Sequence, residues 1–161
     1  MSDNQTNETT QSRYLCFSLG MEEYAIPLLT VKEVIAMPEI TPVPQTPSYF
    51  LGIMNLRGQV ITILDLRQKL AIKPLGNAET SVIICDFNNF SVGVVVDAIN
   101  SVLAPEPNTI SAKPDLQSSK ASAYITGVYR KEKRLVLFLD VFKSLNIEDQ
   151  TNIKKQTSTA A

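Results

Sequence analysis

The chain has 161 residues, with 15 basic and 16 acidic side chains and a formal net charge of -1. That balance excludes a general nucleic-acid binder, which needs a basic surplus to release counterions, and a polybasic membrane anchor. Histidine is absent, which removes the commonest general base and the commonest transition-metal ligand.

Residues 1–12 are rich in Asn, Gln, Thr and Ser and lack the apolar segment of a signal peptide, so a disordered tail is expected there. The folded region is expected over 13–147, with a second disordered tail over 148–161. No apolar run approaches the ~18 residues that a membrane helix needs, and a cytoplasmic location is expected.

Within the folded region, short apolar runs alternate with turns. Tyr14 to Leu19 (YLCFSL) reads as a strand, Gly20 to Glu23 as a turn and Tyr24 to Pro27 as the returning strand of a hairpin. Val31 to Met37 fits either alternation or a helical turn. Pro38, Pro42, Pro44 and Pro47 keep the next segment out of a helix and make it extended edge or loop. Tyr49 to Met54 and Val60 to Asp65 flank the turn Asn55-Leu56-Arg57-Gly58, and Leu66 to Leu70 reads as a helical turn. Thr80 to Phe87 and Phe90 to Ile99 flank Asn88-Asn89 as a third hairpin. Tyr124 to Arg130 and Leu135 to Leu139 form a last pair, after which Asp140 caps a short helix, Val141 to Leu145. Short, turn-bounded strands at this spacing point to barrels or a sandwich; an α/β fold with cryptic helices is the alternative. Apolar strand pairs occur before and after about Asn77, which suggests two lobes, about 14–77 and 78–147, between which strands can cross.

The inventory for catalysis is empty. There is no GxxxxGK[ST], GxGxxG or GxSxG, and no histidine to complete a triad. Cys16 and Cys85 each sit in an apolar run as small buried hydrophobes, without the CxxC spacing of a zinc site. Asp65, Asp86, Asp97 and Asp140 stand at strand ends, where acids cap the following turn. Glu22 and Glu23 lie in a turn and are expected to face water. No metal and no cofactor is expected, and the chain reads as a binding module.

Arg57 is the feature that burial does not explain. A guanidinium in a glycine turn between apolar runs is either solvated or held by a carboxylate. Glu33, in the mixed segment Val31-Lys32-Glu33-Val34, is the candidate partner if the fold brings the two together.

These residues carry a resemblance. YLCFSLGMEEYAIPLLTVKEV, GIMNLRGQVITILDLRQKL (Gly52 to Leu70), SVGVVVDAINSVL (Ser91 to Leu103) and YITGVYRKEKRLVLFLDVFKSL (Tyr124 to Leu145) occur in order, and together they resemble the CheW family of scaffold proteins from bacterial chemosensory arrays. The resemblance implies an all-β fold: two five-stranded β-barrels packed side by side, with short helices and no enzymatic activity. It implies two partners, the regulatory domain of the histidine kinase CheA and the cytoplasmic tips of methyl-accepting chemoreceptors, and recruitment to receptor arrays at the inner face of the membrane. It implies receptor-coupling positions at Leu28, Val31, Glu33, Gly52 and Arg57. Kinase contact is expected around Ile40, Pro42, Val43 and Pro44. Met37-Pro38-Glu39-Ile40 and Met54 depart from the family's usual residues. The same fold could serve a coupling adaptor of a twitching-motility (type IV pilus) pathway. A small enzyme or ligand-binding barrel would instead require a concave apolar pocket with converging polar groups.

Overall fold

A computed structural model of the chain describes residues 12–74, 76, 80–88, 90–112 and 123–159. The expected N-terminal tail lies almost wholly outside them. The described residues form eleven strands: β1 (Tyr14–Leu19), β2 (Glu22–Pro27), β3 (Val31–Ala36), β4 (Phe50–Leu56), β5 (Gln59–Asp65), β6 (Ser81–Asp86), β7 (Ser91–Val96), β8 (Ala98–Leu103), β9 (Ile110–Ala112), β10 (Ile125–Lys131) and β11 (Arg134–Leu139). Helix α1 (Leu66–Lys69) follows β5, and α2 (Val141–Ser144) and α3 (Ile147–Thr159) follow β11.

The strands make two mixed sheets, one ordered β8-β1-β2-β11-β10-β9 and the other β3-β6-β7-β5-β4. Neighbours are antiparallel except for two parallel pairs, β2 with β11 and β5 with β7. The fold is thus mostly β, but it departs from the two closed five-stranded barrels expected. One sheet has six strands, because Ile110–Ala112 adds an edge to β10, and among the described residues no backbone ladder closes either sheet.

The inner strands of each sheet are buried on both faces, which is why β1, β5, β6 and β7 read as continuous apolar runs, whereas edge strand β3 alternates and edge strand β8 is largely exposed. Leu15, Phe17 and Leu19 of β1 enter a central cluster shared with Leu64, Val92, Val94, Val96 and Leu139. Cys16, on the other face of β1, packs with Ala25, Tyr129, Val136 and Phe138. The second sheet has its own far-side cluster of Met54, Ile61, Ile63, Val82, Ile84 and Val95. Each large side chain so buried contributes about 1.5–3 kcal/mol.

The halves of the chain exchange strands. A hairpin, a third strand, a second hairpin and a capped helix occur twice, as β1-β2, β3, β4-β5, α1 and as β6-β7, β8, β10-β11, α2. In each half the third strand leaves its own first hairpin and pairs with the first hairpin of the other: β3 lies beside β6, and β8 beside β1. Local details repeat. The ladder slips by one residue at Phe50/Gly52 and again at Ile125/Gly127. Asp65 N–H donates to Tyr49 O at 2.7 Å, and Asp140 N–H to Tyr124 O at 2.9 Å. Each of these aspartates then caps its helix, accepting from Arg67 N–H and Lys143 N–H respectively. The strand-end aspartates Asp86 and Asp97 also accept backbone N–H groups, from Asn88 and Gly20.

Arg67, on α1, ties the sheets together. Its Nε and Nη2 donate to the Asp65 carboxylate at 3.0 and 3.1 Å, and its Nη1 donates to Asp97 Oδ1 at 2.8 Å. The second oxygen of Asp97 accepts Gly20 N–H, from the β1–β2 turn, at 2.6 Å. Asp65 raises the pKa of the guanidinium against the opposing effect of burial, and Asp97 adds to the rise.

The segment from residue 148 onward, expected to be disordered, instead forms most of α3. Its composition is polar, so helix propensity alone would not hold it; tertiary anchoring does. Ile153 is fully buried in the central cluster. Asn146 and Asp149 cap the first turn reciprocally, with Asp149 N–H to Asn146 Oδ1 at 2.8 Å and Asn146 N–H to Asp149 Oδ2 at 3.3 Å. Asp149 also accepts from Lys69 Nζ at 2.6 Å and from the Tyr49 hydroxyl. Burial alone would lower the Lys69 pKa; Asp149 and Tyr49 outweigh it and leave it raised. Burial and Asp149 raise the Tyr49 hydroxyl as well.

Two outcomes follow from these networks. Arg67→Met is expected to lower the unfolding free energy by about 3–5 kcal/mol, because Asp97 loses its cation while staying buried. Denaturant titration measures this, and adding Asp97→Asn should restore part of the loss, because the two residues share one network. For Lys69 and Tyr49 the folded pKa lies above the unfolded one, so their stabilisation is complete at neutral pH. It declines as pH rises past the ordinary values of 10.0 for tyrosine and 10.5 for lysine. Stability measured across that alkaline range should therefore fall more steeply for the wild-type chain than for Lys69→Met/Asp149→Asn.

Candidate docking surface

The β4–β5 hairpin turns in two residues. Leu56 pairs with Gln59, and Arg57 and Gly58 between them have φ of 50° and 85°. Two successive positive φ values mark the turn type whose twist suits a hairpin. Glycine adopts this freely, whereas arginine is held there with help from Asn55, whose Oδ1 accepts Gly58 N–H at 2.8 Å.

The turn carries Arg57 to β3. Its Nη2 donates to Glu33 Oε1, and Lys32 Nζ donates to Gln59 Oε1 at 3.3 Å. Strands β3 and β4 are opposite edges of the five-stranded sheet. These side chains therefore bring the two ends of that sheet together where no backbone ladder does. In the first sheet Arg134, on the inner strand β11, donates to Glu23 of the adjacent β2 at 2.9 Å and to Ser101 of edge strand β8 at 3.3 Å, and so spans part of that sheet without joining its two edges. Burial works to raise the Glu23 carboxyl, but Arg134 and Asn100 outweigh it and hold it below its ordinary value. Glu23, expected to face water, is thus half-buried and engaged.

Arg57 is 68% exposed and Glu33 27% exposed at the side chain. A pair that wet contributes about 0–1 kcal/mol, so its value lies in register and recognition rather than stability. A ladder slip between Val31 and Glu33 re-aims this part of β3. Val31 and Leu28 are half-buried, with their inner sides packed on the central cluster. Leu28, Val31, Glu33 and Arg57 thus run from a 3-10 turn (Leu28–Thr30) along β3 to the hairpin tip. Gly52 is different: it is buried in β4 and offers no side chain. Of the other segment, Ile40 packs on the second sheet's far-side cluster, Val43 is half-buried, and Pro42 and Pro44 are exposed.

Sequence reasoning missed a groove of about 290 Å³ beside Leu28, lined by Tyr14, Pro27, Thr30, Phe87, Phe138 and Phe142. Phe87, Phe90 and Phe142 form an aromatic trio with centroids 5.3–6.2 Å apart, and Phe142 stays 43% exposed. Leu29, in the turn that borders the groove, is fully exposed. The signal was the pair of phenylalanines flanking Asn88-Asn89 and an aromatic on α2. Nothing local indicated that the β6–β7 turn meets α2.

The groove's polar fringe, Thr30, Thr126 and Asp140, contains no nucleophile paired with a base. Burial pushes the Cys85 thiol up to about 12 and also raises Cys16, so neither is a thiolate at neutral pH. Among the described residues no group of three or more His, Cys, Asp or Glu side chains is placed to hold a metal ion. No helix among them is long and apolar enough to cross a membrane.

The model of the CheW-like domain matches residues 13–149. The chain is 35% identical over 143 residues to the chemotaxis protein CheW of Klebsiella aerogenes, covering 88% of this chain and 86% of that protein. It is 29% identical over 140 residues to CheW of Bacillus subtilis, covering 86% and 90%. The crystal structure of the scaffolding protein TtCheW from Thermoanaerobacter tengcongensis superposes with a TM-score of 0.78 at 26% identity, covering 87% of this chain and 96% of that one. The chain belongs to the CheW family and is a chemotaxis coupling scaffold, not an enzyme.

Proposed function

We propose that this protein couples the cytoplasmic tips of chemoreceptors to the regulatory domain of the histidine kinase CheA, at receptor arrays on the inner face of the membrane. The observation that carries this reading is the exposed Arg57–Glu33 pair: Glu33 lies on β3 with the half-buried Val31, directly after the turn that holds Leu28 and the groove-lining Thr30. A receptor tip is a helical hairpin. An apolar groove continued by a strand that carries a charged pair suits an amphipathic helix, whose apolar side would meet Leu28, Val31 and Phe142 while Glu33 and Arg57 set its orientation. The segment Ile40, Pro42, Val43 and Pro44 offers the kinase a separate exposed surface, so that both partners bind together.

Titration of the full chain with the kinase regulatory domain, followed by a receptor-tip fragment, tests the adaptor reading. Binding of both at once is the expected result, and mutual exclusion would overturn it. Val31→Ala is expected to weaken receptor binding by about five- to thirtyfold, the equivalent of ~1–2 kcal/mol for one central anchor, while the variant stays folded with a cooperative melting transition. Arg57→Glu and Glu33→Arg should each impair coupling, and the double exchange should recover part of it; absence of recovery with both single variants folded would show that the residues act separately.

A further inference from the structure

Gly52 has an extended φ of +143°, a region that side-chain-bearing residues rarely adopt. A Cβ built there would stand 2.1 Å from Thr41 O and 2.8 Å from Ile40 Cγ2. Two backbone bonds explain the closeness. Thr41 N–H donates to Ile53 O and Ile53 N–H donates to Thr41 O, each at 2.9 Å, in an isolated antiparallel bridge on the outer edge of β4. The segment after the bridge is folded back by a turn in which the Thr46 hydroxyl donates to Val43 O at 2.9 Å and Gln45 has φ of 62°. Ile40 anchors it from the other side, against the far-side cluster of the second sheet.

We propose that Gly52 is a positioning residue for the segment Ile40–Pro44. By lacking a Cβ it lets Thr41 pair with β4, and that bridge fixes where Pro42, Val43 and Pro44 stand on the surface. The proposal rests on the reading that this segment meets the kinase. It assigns Gly52 to kinase contact through Thr41 rather than to the receptor face, although Gly52 shares its strand with the residues that lead to Arg57. Any side chain at position 52 must displace Thr41 backbone, which cannot yield by a rotamer change, so the segment moves as a whole.

The test uses the full chain and three variants. Gly52→Ala adds the clashing carbon. Thr41→Pro keeps Gly52 and removes one of the two bridge donors. Thr41→Ala keeps the bridge and removes only an exposed side chain. Both bridge-breaking variants are expected to lose about tenfold or more in affinity for the kinase regulatory domain while receptor-tip affinity stays within about threefold, and Thr41→Ala is expected to leave both unchanged. The Ile53 amide should exchange about tenfold faster or more in Gly52→Ala and Thr41→Pro than in wild type, with the amides of β6 and β7 unaffected. If Gly52→Ala does not fold, Thr41→Pro decides. Unchanged kinase affinity in a folded Thr41→Pro, or a receptor affinity that falls as far as the kinase affinity, overturns the proposal. If the wild-type chain binds neither partner, the adaptor reading fails. The Ile53 exchange still decides the positioning claim, and an unchanged rate in both variants overturns it.

Discussion

Arg67 stands where three stretches of backbone converge: the end of β5, the junction between β7 and β8, and the β1–β2 turn. The first belongs to one sheet, the last to the other, and Asp97 lies at the point where the chain passes between them. A planar guanidinium with fixed donor directions can satisfy two carboxylates only in one relative arrangement, so the lock selects an angle and an offset between the sheets as well as holding them close. Apolar packing in the central cluster supplies most of the stabilisation but would tolerate sliding. The buried ionic contact discriminates against it.

That rigidity is what a coupling scaffold requires. A protein that relays nothing chemically can act only by holding partners at set positions. The edges of the five-stranded sheet are drawn together by Arg57–Glu33 and Lys32–Gln59. The proposed receptor residues are therefore part of the device that keeps the sheet curled. A charge-reversing change at Glu33 acts on a surface and on a closure at once, and only the double exchange separates the two.

Much of this was legible in the sequence where the information is local. The hairpins of β1-β2, β4-β5 and β10-β11, the aspartate caps and the Arg57–Glu33 pairing all follow from residues close in the chain or from the demand that a charge find its opposite. What escaped was long-range. The expected strand from Phe90 to Ile99 in fact ends at Val96, because Asp97 turns the chain into a separate strand, β8, that pairs with β1; neither β8 nor β9 was expected, and no local signal gives the parallel contacts of β2 with β11 and β5 with β7. Helix α3 escaped because its polar composition resembles a tail; one isoleucine and one capped, buried aspartate decide otherwise, and Asn146 followed three residues later by Asp149 was the available cue. The recurring arrangement was hidden because its two halves share ladder slips and caps but not a side-chain pattern.

The exchanged third strands bear on how the molecule is made. The five-stranded sheet uses only residues up to Val96, so it can assemble while the rest of the chain is still being synthesised. The six-stranded sheet includes β1, which precedes every other described strand in the chain, and needs β11, ending at Leu139, for completion. Its opening hairpin must therefore wait, apolar on both faces, for a parallel partner more than a hundred residues downstream. Pairings of such sequence separation form slowly. During that interval the nascent β1–β2 hairpin needs shielding from aggregation.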